Sequence, residues 1–266
     1  MASDIYDIQT TLWAAADELR ANSNLSSSEY STPVLGLIFL KFADNRFKET
    51  RKKIEDAGSG RRKIGPEDYH AEKVIYLTPE AEYKNLLNLE EGADIGQKLS
   101  DAMQAVEENN PDLVGVLPKD YQRFDNDTLI ELLRTFEGIP SDLKGDAFGK
   151  IYEYFIGQFA MSEGQRGGEF FTPTSIVELI VRMIEPTGGK ILDPACGSGG
   201  MFVQSARFIE EHQSKTSESI SIYGNERVTE TAKLAKMNLA VHGLAGDIKE
   251  SNTYYEDPHD CVGKFD

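Results

Sequence analysis

Lys190-Ile191-Leu192-Asp193-Pro194-Ala195-Cys196-Gly197-Ser198-Gly199-Gly200-Met201-Phe202 decides how this chain is read. Ile191 and Leu192 make a short apolar run entered from Gly188-Gly189, which suits a buried parallel strand. Asp193 closes that strand. The loop after it carries three glycines, and Met201-Phe202-Val203 opens a helical pattern running through Ala206 and Ile209. Strand, glycine-rich turn and helix is an arrangement in which backbone can approach a ligand without a Cβ in the way.

The spacing Gly197-x-Gly199-Gly200 lacks the third glycine of the dinucleotide fingerprint G-x-G-x-x-G. Asp193 also sets a carboxylate at the mouth of the loop, where it would repel a pyrophosphate and attract an ammonium group. S-adenosylmethionine fits that demand: it carries an amino group and a sulfonium, and no phosphate. The segment Asp193-Pro194-Ala195-Cys196-Gly197-Ser198-Gly199-Gly200 resembles the cofactor loop of amino-methyltransferases acting on DNA. Among those it is most similar to the modification subunit of type I restriction–modification systems.

Outward from the loop, the pattern alternates. A helix is predicted from Pro173 to Glu185, a strand at 190–193, a helix at 201–212 and a strand from Ile220 to Tyr223. A helix from about Thr229 to His242, capped by Gly243, follows. Alternating strands and helices imply an α/β domain with a parallel sheet and helices on its faces. So few strands do not make a finished core, so a truncated domain is expected, with another strand beginning at Phe265-Asp266.

The first 160 residues read differently. Ser3 or Asp4 is expected to cap a helix with apolar residues at Ile5, Ile8, Leu12, Ala15 and Leu19. Thr32-Pro33 reads as an N-cap and first helical position, opening a helix from Val34 to about Phe47 that is apolar nearly all round and should be central. Val74 to Leu77 reads as a short strand. Helical patterns then fall at Ile95 to Val106, at Leu129 to Phe136 with Asn126 or Asp127 as cap and a stop near Gly138, and at Phe148 to Phe159. The aromatics of that last run are core by their spacing. The expected organisation is a helical domain over 1–160 and an α/β domain over 161–266, joined through the polar, glycine-rich stretch Ser162 to Gly168.

Composition narrows the function. The chain has 266 residues, 39% hydrophobic, and its longest apolar run, Val34 to Leu40, is too short to span a bilayer. Two cysteines and four histidines offer no zinc spacing and no disulfide framework. No membrane association is expected, and a cytoplasmic location is the plain reading. A net charge of −17 argues against a self-sufficient DNA binder, since affinity for a duplex comes largely from neutralising phosphates. The one basic concentration is Arg46, Lys48, Arg51, Lys52 and Lys53, then Arg61, Arg62 and Lys63. It reads either as a solvated helix end or as a contact for phosphates or an acidic partner.

The resemblance adds roles. Gly168-Glu169-Phe170-Phe171-Thr172-Pro173 looks like the segment that holds the methionine end of the cofactor in N6-adenine methyltransferases of this motif order. Thr172 is expected to cap the helix that Pro173 begins. Glu226, ending Tyr223-Gly224-Asn225-Glu226, can accept hydrogen bonds from both ribose hydroxyls. Ser251-Asn252-Thr253-Tyr254 stands where the family contacts the cofactor's adenine, with Asp247 as an alternative to Asn252. The run Thr231 to Leu239 is also family-like and reads as a packing helix. The cofactor-binding set implied is therefore Glu169, Phe170, Phe171, Thr172, Pro173, Asp193, Ala195, Cys196, Gly197, Ser198, Gly199, Glu226 and Asn252, with no metal.

The resemblance also extends through Leu35 to Phe42 and Gly149 to Phe155. It implies a Rossmann-like S-adenosylmethionine-dependent domain, N6-adenine methylation of DNA, and partnership with a specificity subunit, a restriction subunit and duplex DNA, with two modification subunits per complex. The family's catalytic Asn-Pro-Pro-aromatic quartet would follow the strand starting at Phe265-Asp266, so no catalytic residue is expected in this chain, which should be inactive alone. Two rivals stand beside this reading: an assembly subunit that keeps the fold without transfer, and a nucleotide-dependent oxidoreductase.

Overall fold

A computed structural model describes the chain except residues 1, 24, 58–63, 91, 141–145, 163–170, 214–219 and 266. The glycine-rich stretch from 163 to 168, and Arg61, Arg62 and Lys63, fall outside the described residues. The molecule divides into two compact units, Met1–Phe155 and Ile156–Asp266.

The first unit, among its described residues, is built of helices: α1 (Ala2–Asn22), α2 (Ser27–Ala57), α3 (Pro66–Ala71), α4 (Tyr83–Leu87), α5 (Ile95–Asn109), α6 (Asn126–Glu137) and the start of α7 (Ala147–Ser162). As the all-round apolar pattern demanded, α2 is its centre, with Val34, Leu35, Leu37, Ile38, Phe39, Leu40, Ala43 and Phe47 all buried. Phe148, Ile151, Phe155 and Phe159 of α7 are buried too, in line with a core role.

Four local expectations are corrected. Helix α1 already runs from Ala2, ahead of the expected Ser3 or Asp4 cap. Helix α2 starts at Ser27, so Pro33 lies inside it and Thr32 caps nothing. The cap is a reciprocal one: Ser26 N–H donates to the Glu29 carboxylate at 3.1 Å, and Glu29 N–H donates back to Ser26 Oγ at 3.4 Å. The tertiary burial of α2 outweighs the backbone bond that Pro33 removes. For α6 the cap is Asp125, which accepts from Thr128 N–H at 2.7 Å. Asn126 is used elsewhere, accepting from Ile95 N–H at 3.2 Å and so tying down the start of α5. Val74–Leu77 forms no strand. Asn110 takes the place of a neighbouring strand: its side chain accepts from Tyr76 N–H and donates to Tyr76 C=O, both at 2.9 Å.

The second unit contains a three-stranded parallel sheet in the order β1 (Gly189–Asp193), β2 (Ile220–Glu226), β3 (Gly246–Glu250). Helices α8 (Thr174–Ile184), α9 (Gly200–Gln213) and α10 (Thr229–Val241) alternate with the strands. Cys196, Phe202, Val203, Ile222, Ala232, Ala235, Leu239 and Ile248 form the core between sheet and helices. Register places Asp193 beside Gly224 and Gly224 beside Ile248, so the carboxyl ends of the strands share one edge. On the opposite face Tyr223 packs edge-on against His259 and Phe265, as the residues after β3 fold back over the sheet. Helix α8 buries only Val177 and Val181; Ile176, Leu179, Ile180, Met183 and Ile184 remain exposed.

Strand β3 was not anticipated, because Ile248 is its one buried residue and no alternation surrounds it. The cap of α8 is a further correction: Thr172 lies one residue too early, Pro173 occupies the N-cap, and no side chain caps the helix. The carbonyl of Pro173 accepts from Ile176 and Val177 N–H instead. Among the described residues no helix is long and apolar enough to cross a membrane.

Candidate functional site

The loop between β1 and α9 is held by a nearly complete set of backbone bonds. Asp193 Oδ1 accepts from Ala195 N–H at 3.0 Å. Cys196 N–H donates to Asn225 C=O at 2.9 Å, crossing to the neighbouring strand. Gly197 N–H donates to Glu226 Oε2 at 3.1 Å, and Gly199 N–H turns back to Cys196 C=O at 2.8 Å. Gly197 and Gly199 both have positive φ, at 54° and 81°, where a side chain would be strained. The carbonyl of Gly199 then accepts from Phe202 and Val203 N–H and starts α9.

Glu226 stands at the end of β2. Its two carboxylate oxygens accept from Gly197 N–H and, at 2.9 Å, from Val228 N–H, which leaves each with a lone pair for a further donor. Asp193 and Glu226 therefore share one strand-end edge, and neither has a cationic partner among the described residues. Burial pushes the Asp193 carboxyl above the ordinary carboxylate range; the Ala195 N–H partly offsets this and the Glu226 charge adds to it. A half-buried carboxylate next to a second acid favours a cation and disfavours a phosphate.

Cys196 lies beneath the loop. Burial, with the charges of Asp193 and Glu226, pushes its thiol up to about 12, so it is a protonated packing group at neutral pH. Its sulfur rests against β2, where only glycine fits: a Cβ on Gly224 would lie 3.0 Å from Cys196 Sγ and 2.7 Å from Ile248 Cδ1. The Ser198 carbonyl accepts from the buried Asn238 side chain at 2.9 Å. Beyond β3, Thr253 Oγ1 donates to the Pro194 carbonyl and accepts from Asn225 Nδ2 at 3.3 Å, so the segment after β3 is tied to the loop after β1.

The structure thus brings Asp193, Ala195, Cys196, Gly197, Ser198, Gly199 and Glu226 together, with Asn252 adjoining Thr253. Asn252 Oδ1 accepts from Tyr254 N–H at 3.1 Å in a tight turn. Asp247 is not on that edge: it lies mid-strand beside Tyr223, within 3.0 Å of Lys249 Nζ and 3.6 Å of His259 Nδ1. Of these two residues, Asn252 adjoins the loop edge through Thr253 and Asp247 does not. Phe171 packs on α7, where a Cβ on Gly157 would come within 2.9 Å of its ring. Thr172 and Pro173 are exposed, and no described contact joins Phe171, Thr172 or Pro173 to the loop. Glu169 and Phe170 lie outside the described residues. Gly224, Asn225, Asn238 and Thr253 were missed as site-builders. Asn238 lay inside the family-like run read as a packing helix, and that likeness was the available signal.

Two families match the chain in succession. The HsdM N-terminal domain matches residues 8–136, and the N-6 DNA Methylase family matches residues 143–266. The MjaIX methylase subunit, a type I restriction enzyme component of Methanocaldococcus jannaschii, is 37% identical over 94% of the chain. This chain belongs to the type I restriction enzyme methylase subunits. The HindI methylase subunit of Haemophilus influenzae is 42% identical over 59% of the chain. The chain spans 48% of the length of the first of these methylase subunits and 38% of the second. The crystal structure of a type I restriction–modification methyltransferase subunit from Streptococcus thermophilus has the same fold, with a TM-score of 0.76 at 19% identity, covering 98% of this chain and 62% of that one.

Proposed function

We propose that the intact protein transfers a methyl group from S-adenosylmethionine to the N6 amino group of adenine in DNA, and that this chain carries the cofactor half of the site. The observation that carries the reading is the pair Asp193 and Glu226, two carboxylates on one strand-end edge with backbone amides and, among the described residues, no cation as partners. Such a pair suits a positively charged cofactor. It opposes the pyrophosphate of a nicotinamide dinucleotide, which counts against an oxidoreductase.

When bound, S-adenosylmethionine supplies a methyl group activated by its positive sulfur. The chain's own residues bind and orient. Asp193 holds the amino group by charge, and the loop of Ala195, Cys196, Gly197, Ser198 and Gly199 gives a wall without projecting side chains. Glu226 takes the ribose hydroxyls with its remaining lone pairs. Asn252 takes the adenine, and Glu169, Phe170, Phe171, Thr172 and Pro173 hold the methionine end. By holding the cofactor in one orientation these residues would supply much of the rate, since positioning alone can contribute roughly 7–11 kcal/mol.

The 266 residues contain no Asn-Pro-Pro-aromatic quartet. The groups that accept hydrogen bonds from the adenine amino group and stack on a base turned out of the duplex belong to the longer protein. In that protein the subunit acts with a specificity subunit that selects a bipartite DNA site, and with a restriction subunit for cleavage, two modification subunits serving each complex. Isothermal titration of the chain with S-adenosylmethionine and with NAD tests the assignment. Binding of the first and not the second is expected. Binding of NAD with no binding of S-adenosylmethionine would overturn it.

A further inference from the structure

We infer that Asn238 is a positioning residue of the cofactor loop: it locks the Ser198–Gly199 peptide and, through it, the shape of the surface offered to the cofactor. The inference rests on the cofactor reading above and adds a residue that touches no ligand. Asn238 is on α10 and is 1% exposed. Its Nδ2 donates to the Ser198 carbonyl at 2.9 Å. The other side of the same peptide, Gly199 N–H, donates to Cys196 C=O at 2.8 Å. One peptide plane is therefore held from both sides, at the residue whose φ is 81°.

The helix is shaped to reach the loop. Ala235 stands one turn before Asn238, and its Cβ would lie 3.6 Å from a Cβ built on Gly199. Residues three apart share a helix face, so α10 offers a small residue for close approach and then an amide for the carbonyl.

Stability alone does not account for this choice. Asparagine is a poor helix former, and Asn238 Oδ1 is buried with no partner among the described residues. A half-satisfied buried amide is worse for a core than an apolar side chain of the same size, unless the carbonyl it meets has to be held. The helix has its own backbone ladder whereas the Ser198 carbonyl lies outside any helix or strand, so the hydrogen bond acts on the loop.

The test uses the whole chain with Asn238→Leu, which keeps volume and removes the donor, and Asn238→Asp, which keeps the shape in case the first variant does not fold. Leu239→Ala is the control for lost stability, since Leu239 is buried with its side chain against Gly246 of β3 and makes no hydrogen bond to the loop with that side chain. Two readouts are taken: amide hydrogen exchange along the unit, and the affinity for S-adenosylmethionine. Exchange of the Gly199 amide is expected to rise and affinity to fall, each about tenfold, from loss of one buried hydrogen bond. Leu239→Ala should speed exchange across the unit and leave the affinity of the folded chain unchanged. Uniform exchange in the Asn238 variants, or an equal affinity loss in Leu239→Ala, would reduce Asn238 to a packing residue and overturn the inference. A wild-type chain that ignores S-adenosylmethionine while the variants still loosen Gly199 selectively would overturn the cofactor reading and uphold the lock.

Discussion

Charge removed wholly or partly from water is handled in opposite ways in the two units. In the helical unit each buried ion has a counter-ion built beside it. Lys41 Nζ meets Glu137 Oε2 at 2.5 Å and lies over the Tyr83 ring. Asp44, with its side chain fully buried, meets Lys48 Nζ at 2.6 Å and accepts from Tyr83 N–H at 3.1 Å. Glu107 meets Lys119 Nζ at 2.7 Å and accepts from Leu117 N–H at 2.8 Å. In the α/β unit the half-buried Asp193 and Glu226 have, among the described residues, only backbone amides. Charge that is neutralised in place serves the fold, because an unpaired buried ion costs several kcal/mol. Charge left uncompensated at a strand-end edge is what the proposed cationic cofactor would meet.

The comparison breaks most visibly at Asp44. Asp44→Ala removes the partner of a buried backbone N–H and should destabilise the chain by about 2–3 kcal/mol. Cofactor affinity, measured per folded molecule, should not change. Chemical denaturation read alongside titration checks both halves. An altered affinity would mean that the helical unit's charges also serve the cofactor.

Glu226→Ala should show the reverse. Loss of a charged acceptor for two hydroxyls should weaken S-adenosylmethionine by about 1.5–3 kcal/mol, or roughly 10–100-fold. The midpoint of unfolding should move less than in Asp44→Ala, because the Val228 amide is exposed and can turn to water, so that only the buried Gly197 amide loses its partner. Unchanged affinity in isothermal titration would remove Glu226 from the site.

The same contrast explains what could be read from sequence. Asp193 and Glu226 were legible because each ends a strand, and strand ends in a parallel sheet converge on one edge. Helices α2, α6 and α7 were legible from the periodicity of Leu, Ile and Phe. What was hidden depends on partners distant in sequence. Nothing near Val74 to Leu77 reveals that Asn110 will supply the bonds of a missing strand. Nothing around Pro33 reveals that burial of α2 will carry the helix through it. The Asn238 lock reaches 40 residues back to Ser198, and Thr253 reaches 59 back to Pro194. Strand β3 carried a single buried side chain and so left no pattern.

Asp193→Asn sharpens the comparison by removing one of the two uncompensated charges while keeping an acceptor for Ala195 N–H. The Asp193 carboxyl is raised in the folded state, chiefly by burial and further by Glu226. The folded chain therefore holds that proton more tightly than the unfolded chain, so ionisation of Asp193 costs stability as pH rises from the unfolded to the folded pKa. Above the folded pKa the full cost is present. The asparagine variant should thus be more stable than wild type at neutral pH, by less than Glu226→Ala costs in affinity, and the difference should vanish in acid. Cofactor binding should show the complementary trend. Wild-type affinity should fall as pH drops through the raised pKa, whereas the variant, weaker at neutral pH, should lose this dependence. Denaturation and titration over a pH series decide it, and a variant less stable than wild type at neutral pH would refute the uncompensated charge.

The smallest effect is expected where charge is exposed and already paired. In the basic stretch of α2, Lys53 Nζ lies 2.6 Å from Glu49 Oε1 and Arg46 lies 3.9 Å from Glu49 Oε2. Arg51 is engaged by Glu82 at 2.9 Å and by the face of Phe47. Exposed pairs of this kind are worth about 0.2–1 kcal/mol, so Arg46→Gln with Lys53→Gln should leave stability nearly unchanged. DNA binding separates a solvated helix face from a phosphate contact more sharply. A cation neutralised by Glu49 releases few counterions, so the double substitution should leave the slope of log affinity against log salt unchanged in the assembled complex. A slope reduced by about 0.9 for each residue would show that both cations leave Glu49 for phosphates. That outcome would move α2 from the self-neutralised side of the comparison to the side whose charge is kept for a partner.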